Sequence, residues 1–146
     1  MKNNIQKSIA ILGLFFMLAV GSVSAQTPEK MEVNIPFDFT AGKVTFKAGT
    51  YSFKRVSDNS LAIRSADGKR NSLVLAPLAI GSRDSKAGER VIFNKYGEQY
   101  FLSQVWLHVE IGRQLFTSGE EKKAAREYKL AYKNVSPQRV EVAARK

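Results

Sequence analysis

The chain of 146 residues contains no cysteine and a single histidine, His108. The lack of cysteine excludes disulfides, thiol catalysis and a lipid-modified cysteine anchor. Nucleophilic triads and most metal sites need histidine or cysteine, and the pair His108 and Glu110 offers only two potential ligands. We therefore expect no catalytic residue, no cofactor and no metal, and we interpret His108 as an exposed loop residue.

Long apolar runs are also scarce, since the one clear example is segment 9–20 near the N-terminus. This segment follows Lys2 and Lys7 and precedes Val23-Ser24-Ala25, a pattern typical of a secretory signal peptide and its small-residue cleavage site. A helix that spans a bilayer needs about 20 apolar residues, more than this run supplies. We predict that residues 1–25 form a signal peptide cleaved near Ala25, and that the mature protein is periplasmic or extracellular with no transmembrane segment.

Acidic residues are few, because 13 Asp and Glu stand against 23 Lys and Arg and the formal net charge is +10. A basic surface attracts polyanions in a salt-dependent way. Export argues against nucleic acid as the partner, so the expected polyanions are anionic components of the envelope, such as lipid headgroups or polysaccharides. The alternative interpretation is a basic surface that only keeps the protein soluble.

The region from Met31 to Leu107 predicts antiparallel β-structure, because short alternating segments are separated by Gly, Asp and Asn. One segment has apolar residues at every second position, namely Val33, Ile35, Phe37 and Phe39. Pro36 within it suits a sheet edge or a bulge. We predict an all-β domain over residues 26–117, a small antiparallel meander barrel or sandwich of about seven strands.

Turn residues predict three local hairpins with three-residue loops: Asp58-Asn59-Ser60, Ala66-Asp67-Gly68 and Lys95-Tyr96-Gly97. Gly68 and Gly97 are expected in the left-handed region. The loops place Phe53 opposite Ile63 and Arg55 opposite Leu61, and they keep Leu61 and Leu73 on one face. In the last strand Phe101 and Val105 are expected on one face and Tyr100, Leu102 and Trp106 on the other, so both faces need cover.

The C-terminal region predicts a basic helix over residues 118–133, with Ser118 as its cap and Glu120 and Glu121 in its first turn. Ala124, Tyr128 and Ala131 form a narrow apolar stripe. Residues 134–146 are polar and contain Pro137, and we expect them to form a disordered tail. The charged segment Gly81 to Glu89 is the expected mobile loop.

Aromatic side chains are abundant and have two interpretations. They fill the core, or they line a cavity for a flat or apolar ligand. The candidate ligand-binding residues of the second interpretation are Tyr51, Phe53, Arg55, Tyr100 and Trp106. Arg55 shares the face of Tyr51 and Phe53, where an unpaired charge is costly; otherwise it reaches water at a strand end or pairs with Asp58.

Four motifs resemble those of a family of small exported bacterial proteins of unassigned function. They are I-P-F-D-F (35–39), K-A-G-T-Y (47–51), I-R-S-A-D-G-K (63–69) and F-N-K-Y-G-E-Q-Y-F-L-S-Q-V-W (93–106). The resemblance covers most of residues 31–107. It implies a shared fold and an extracytoplasmic location, and it carries no activity or catalytic residue.

The leading functional hypothesis is a non-enzymatic envelope protein with a binding or scaffolding role. Its contact surfaces would be the polar sheet face, the loop 81–89 and the basic C-terminus, and its strand edges would permit self-association. The alternative is a carrier of a small apolar ligand inside a β-barrel. A hydrolase is a distant third, because nothing in the spacing of Glu32, Asp38 and Glu110 brings two carboxylates to one pocket.

Overall fold

The computed structural model describes residues 29–82, 87–133 and 135–145. The predicted signal peptide lies outside these residues, and so does the centre of the predicted mobile loop 81–89. Within the described ranges the elements are β1 (Lys30–Ile35), β2 (Phe39–Ala41), β3 (Val44–Phe46), β4 (Gly49–Ser57), β5 (Ser60–Ser65), β6 (Asn71–Leu75), β7 (Leu78–Gly81), β8 (Arg90–Tyr96), β9 (Gln99–Trp106), β10 (Ile111–Gln114), α1 (Gly119–Ala131) and β11 (Gln138–Ala143).

These strands form two sheets that pack against each other as a sandwich. Sheet A has the order β1-β4-β5-β6, and sheet B has the order β11-β8-β9-β10-β7. The β2–β3 hairpin joins sheet B through a parallel bridge between Thr40 and Phe101. The all-β prediction is confirmed, and the sandwich is the one of the two predicted architectures that is found. The described residues form eleven strands rather than about seven. The strands β4-β5-β6 and β8-β9-β10 follow the predicted meander, whereas β1, β7 and β11 pair with strands that are not their neighbours in sequence.

The first such passage divides the predicted strand 33–39. Val33 and Ile35 face the core from β1 in sheet A, whereas Phe39 enters sheet B with β2. The division falls at Pro36, which has no N–H to continue a ladder. Just beyond it, Asp38 accepts hydrogen bonds of 2.8 Å from Lys47 Nζ and from the Ala48 N–H. The Lys47 bond is the main reason that the pKa of Asp38 lies below its usual value.

The core between the sheets is aromatic. Phe39, Phe46, Phe53 and Phe93 are at most 1% exposed, and Phe39 stacks on Phe46 with ring centroids 5.0 Å apart. Burial of one such side chain contributes roughly 1.5–3 kcal/mol, so these rings account for a large part of the stability of the domain. These side chains occupy the space between the sheets, where the carrier hypothesis would seat an apolar ligand.

The β4–β5 hairpin has the predicted register but a different turn. Phe53 lies opposite Ile63 and Arg55 opposite Leu61, as predicted. The predicted three-residue loop is wrong, because Ser60 pairs with Ser57 and their hydroxyl oxygens are 2.7 Å apart. A bulge between Arg55 and Ser57 takes up the extra residue instead. The apolar residues of the two strands therefore still share one face.

The β5–β6 hairpin corrects a predicted register. Leu61 lies opposite Val74 rather than beside Leu73, so Val74 is buried and Leu73 is 63% exposed. The cause is a four-residue connection, Ala66 to Lys69, which is closed by a hydrogen bond from the Ser65 N–H to the Arg70 carbonyl. Gly68 has φ of +70°, so its left-handed conformation is confirmed.

The β8–β9 hairpin turns at Gly97 and Glu98, since Tyr96 pairs with Gln99. The predicted loop of Lys95, Tyr96 and Gly97 is therefore wrong, although Gly97 has the expected positive φ of +62°. A glycine as the first turn residue adopts the positive φ of a two-residue loop without steric cost.

A bulge in β9 changes which of its side chains share a face. The register shifts between Ile92 and Phe93, which lie opposite Gln104 and Leu102, and this leaves Ser103 as the extra residue. Leu102 and Val105 consequently join the core together, and the predicted pairing of Phe101 with Val105 on one face is wrong. Phe101 and Trp106 are each 5% exposed, so the predicted cover of both faces is confirmed.

The C-terminal region contains the predicted helix and one unpredicted strand. Ser118 Oγ accepts the Glu121 N–H at 3.1 Å, as expected of the cap of α1. The expectation of disorder after residue 134 is wrong for β11, which pairs with β8 over its whole length. Val140 and Val142 pack against the core. Apolar residues at every second position indicate a strand, but the polar composition of the tail makes this signal weak. Among the described residues no helix is long and apolar enough to span a membrane.

We predict that Gly112→Ala destabilises the domain. A Cβ at Gly112 would lie 2.5 Å from the ring of buried Trp106, and such overpacking typically costs about 1–3 kcal/mol. Urea denaturation measures the change. Gly119→Ala is the matched control, because nothing lies within 4 Å of a Cβ at that position. Equal stability of the Gly112 variant and the wild type would show that Trp106 does not lie where the structure has it.

We also predict that Asp67→Asn weakens the acid sensitivity of the fold. The carboxylate of Asp67 accepts hydrogen bonds from Ser65 Oγ at 2.5 Å and from the Lys69 N–H at 3.0 Å. The Ser65 bond is the main cause of an Asp67 pKa below 3.8. A lowered folded-state pKa contributes stability above the unfolded value, and this stability is lost as pH falls through the folded value.

The measurement is the change in melting temperature between neutral and acidic pH, compared for the wild type and the Asp67→Asn variant. The wild type should lose more stability on acidification than the variant. Asp58→Asn is the control, because the Asp58 carboxylate is 89% exposed and its nearest cation, Arg113, is 3.8 Å away. The prediction fails if Asp67→Asn and Asp58→Asn have the same acid profile.

Candidate functional site

The five candidate ligand-binding residues occupy four separate places. Tyr51 and Phe53 lie in the core with exposures of 3% and 0%. Tyr100 is half-buried and stacks on Phe37 with ring centroids 3.9 Å apart. Trp106 lies on the opposite face of sheet B, and Arg55 lies at the end of β4. The structure therefore does not bring the five side chains to one cavity.

Tyr51 illustrates how the core satisfies these aromatic residues. Its hydroxyl donates a 2.6 Å hydrogen bond to the Lys47 carbonyl, and burial is the main reason that its pKa is raised. A buried phenol that already has a partner has no donor left for a ligand. Trp106 has a similar structural role, because Arg90 stacks over its ring at 4.4 Å.

Arg55 lies in a cleft of about 210 Å³ at one end of the sandwich. Its Nη2 donates to Glu29 Oε1 at 2.8 Å, and His108 Nε2 lies 2.9 Å from the same oxygen. The predicted pairing of Arg55 with Asp58 is wrong, because Glu29 takes that place. His108 is 57% exposed at its side chain, as expected of a loop residue.

The Arg55 cleft is poorly suited to chemistry. Glu29 neutralises Arg55, so the cleft offers no free strong charge at that position. Its one carboxylate and one imidazole are too few to complete a metal site. No group of three or more His, Cys, Asp or Glu side chains in residues 29–82, 87–133 and 135–145 is arranged to hold a metal ion.

The helix α1 presents a more distinctive surface, and its orientation is fixed by a buried carboxylate. Glu121 is 5% exposed and accepts hydrogen bonds from Asn94 Nδ2 at 2.8 Å and from the Tyr96 hydroxyl at 3.3 Å. Ala124, three residues later, is also buried. Burial, followed by the nearby Glu121 charge, raises the pKa of Tyr96. These contacts dock one face of α1 on the outer face of sheet B.

The outward side of α1 carries a row of cations. Lys122, Arg126 and Lys129 follow one another at spacings of four and three residues, so they lie on one helical face. We call these three residues the cation stripe. All three are exposed, and none forms an ion pair within the part of the chain that the structure describes. The only ion pair within α1, between Lys123 and Glu127, lies outside the stripe at 3.9 Å.

Acidic side chains gather on a different side of α1. A cleft of about 480 Å³ lies between the helix, the β8–β9 turn and the β2–β3 hairpin. Its charged lining comprises Asp38, Glu98, Glu120, Lys123 and Glu127. The helix therefore separates charges of opposite sign, and the cation stripe is not neutralised by its own surroundings.

Sequence reasoning missed two parts of this surface. The sequence pattern predicts Glu121 only as a first-turn acid, although its spacing to Ala124 and Tyr128 places it on the apolar stripe. It predicts a basic C-terminus without distinguishing the cation stripe, although the spacing of four and three residues is visible in the sequence. In both cases the signal was the position on the helix rather than the residue type.

Comparisons of the chain with protein-family models, with curated proteins and with solved structures gave no match. The resemblance to small exported bacterial proteins thus stays a prediction.

Proposed function

We propose that this is an exported, non-enzymatic protein that binds the phosphate or carboxylate groups of an anionic envelope component through the cation stripe. The observation that carries the proposal is the row of Lys122, Arg126 and Lys129 on one exposed face of α1, where no described residue forms an ion pair with them. Export rests on the signal-peptide pattern of residues 1–25.

The rigidity of the stripe favours binding. Glu121 and Ala124 hold α1 against sheet B, so the three cations point outward in a fixed arrangement before any ligand arrives. Preorganised groups lose less conformational entropy on binding than groups on a flexible tail. The pairing of β11 with β8 adds to the rigidity of the stripe, because the segment after α1 is also attached to the sandwich.

The expected affinity is modest. One Lys or Arg near an anionic lipid surface contributes about 1 kcal/mol, so the stripe contributes about 3 kcal/mol. This is too little for tight binding of a single small anion. A polymer or a surface that repeats its charges gives many equivalent sites, and repeated engagement raises the apparent affinity. The ligand class is therefore an extended polyanion rather than a small metabolite.

We predict that the triple variant Lys122→Gln, Arg126→Gln and Lys129→Gln binds such a polyanion roughly 100-fold more weakly than the wild type. Two probes distinguish the sources of the anionic groups: vesicles of equal parts phosphatidylglycerol and phosphatidylcholine, and the soluble polysaccharide polygalacturonate. Co-sedimentation with vesicles and fluorescence titration with the polysaccharide measure binding at low salt. Added salt should weaken both interactions.

The matched control removes the same charge elsewhere through Lys43→Gln, Lys54→Gln and Lys69→Gln. These three lysines are exposed, and no ion pair involves them among the described residues. The control should retain most of the binding. Equal loss in both triple variants would mean that net charge alone matters and would overturn the proposal, and so would failure of the wild type to bind either probe. Circular dichroism checks that α1 is retained.

A further inference from the structure

The two sides of the sandwich are closed to different degrees. On one side the edge strands β1 and β11 meet, because the Arg145 N–H donates to the Glu32 carbonyl at 2.8 Å. On the other side the edges are β6 in sheet A and β7 in sheet B. No further strand pairs with the outer side of β6 within residues 29–82, 87–133 and 135–145. Strand addition is therefore open on the β6 side.

The backbone of β6 has unpaired groups directed outward. The Ser65 N–H donates to the Arg70 carbonyl, and the Ala76 N–H donates to the Asn59 carbonyl. These bonds identify the hydrogen-bonded positions of the β5–β6 ladder, which alternate along an antiparallel pair. The N–H and C=O groups of Leu73 and Leu75 consequently point away from β5, toward the free edge.

This edge carries no charged side chain, and several of its exposed side chains are apolar. Leu73 and Leu75 are 63% and 60% exposed, and Leu78 in β7 is 50% exposed. Asn71 to Ser82 is a run of twelve residues with no charged side chain in a chain of net charge +10. Exposed edges in natural proteins are usually protected by lysine, proline or a bulge. The strand β6 has none of these protections.

We propose that β6 is a dimerisation edge at which a second copy of this chain adds its own β6 in antiparallel orientation. Two strongly basic copies repel each other wherever their charged faces meet, and the neutral run 71–82 allows close approach without that repulsion. A two-fold axis at Leu73 places Leu73 beside its symmetry mate and Leu75 beside Asn71 of the other copy. Sheet A then continues across the dimer as one sheet of eight strands.

The dimer should be weak. Stable interfaces bury about 800 Å² on each partner, and a strand of five residues with a few flanking side chains supplies less. We expect a dissociation constant of about micromolar order or weaker. Such a dimer would present two cation stripes, which connects this inference to polyanion binding, although neither depends on the other.

The test uses protein purified from the cells that produce it, with its N-terminus established by mass spectrometry. Sedimentation equilibrium over a concentration series should show a reversible monomer–dimer equilibrium. Leu73→Lys should raise the dissociation constant about tenfold or more, because like charges then lie opposite each other across the new strand pair. Leu130→Lys is the matched control, since Leu130 is 81% exposed on α1 and the same charge there should leave dimerisation unchanged.

A second variant tests the register directly. The chain has no cysteine, so Leu73→Cys introduces a single thiol. Two such residues related by the proposed axis would have Cα atoms about 5.5 Å apart, within the range of a disulfide. Oxidised glutathione should therefore link the Leu73→Cys variant into dimers much faster than a Leu130→Cys control.

The proposal is overturned if the wild type stays monomeric throughout and Leu73→Cys cross-links no faster than its control. In that case β6 is not a dimerisation edge. It is also overturned if the wild type dimerises and Leu73→Lys does so equally well. Circular dichroism and the melting temperature establish that the variants are folded.

Discussion

The structure depends on the burial of both faces of sheet B. Val91 and Phe93 face sheet A, whereas Ile92 and Phe101 face the other way, and all four are at most 8% exposed. A sheet with two apolar faces needs two covering layers. Sheet A supplies one and α1 supplies part of the other, with Glu121 bound to Asn94 and Tyr96. The orientation of the helix, and with it the direction of the cation stripe, follows from this demand.

The need to cover sheet B also explains why the segment after α1 forms β11. The β8 edge would expose backbone groups of a strand whose side chains are already buried, and β11 pairs with that edge from Arg90 to Lys95. The Arg145 N–H then reaches Glu32 in β1, so a single segment protects an edge of each sheet. The protection is confined to one side. The asymmetry leaves β6 as an edge where the fold can still gain backbone hydrogen bonds.

Much of this fold was predictable because alternation is a local signal. The alternation of apolar and polar residues predicts the β-strands, and Ser118 predicts the start of α1. The requirement that apolar residues share one face places Phe53 opposite Ile63. The errors come from bulges and turns that contain one extra residue, because the amino-acid composition gives no sign of the insertion. The bulges near Val56 and Ser103 each shift a register by one residue, and so does the connection Ala66 to Lys69, which has four residues rather than the predicted three. The division at Pro36 depends on tertiary contacts that no local pattern contains.

The candidate surfaces were less predictable than the fold, for a related reason. The abundance of aromatic residues makes Tyr51 and Phe53 candidates for ligand binding, yet both side chains are buried in the core. The distinctive surfaces come instead from what packing leaves unused: three cations that α1 cannot neutralise, and a strand edge that no element of the described chain covers. One surface is charged and the other is neutral, so they select different partners. We propose polyanions as the partners of the first surface and a second copy of this basic chain as the partner of the second.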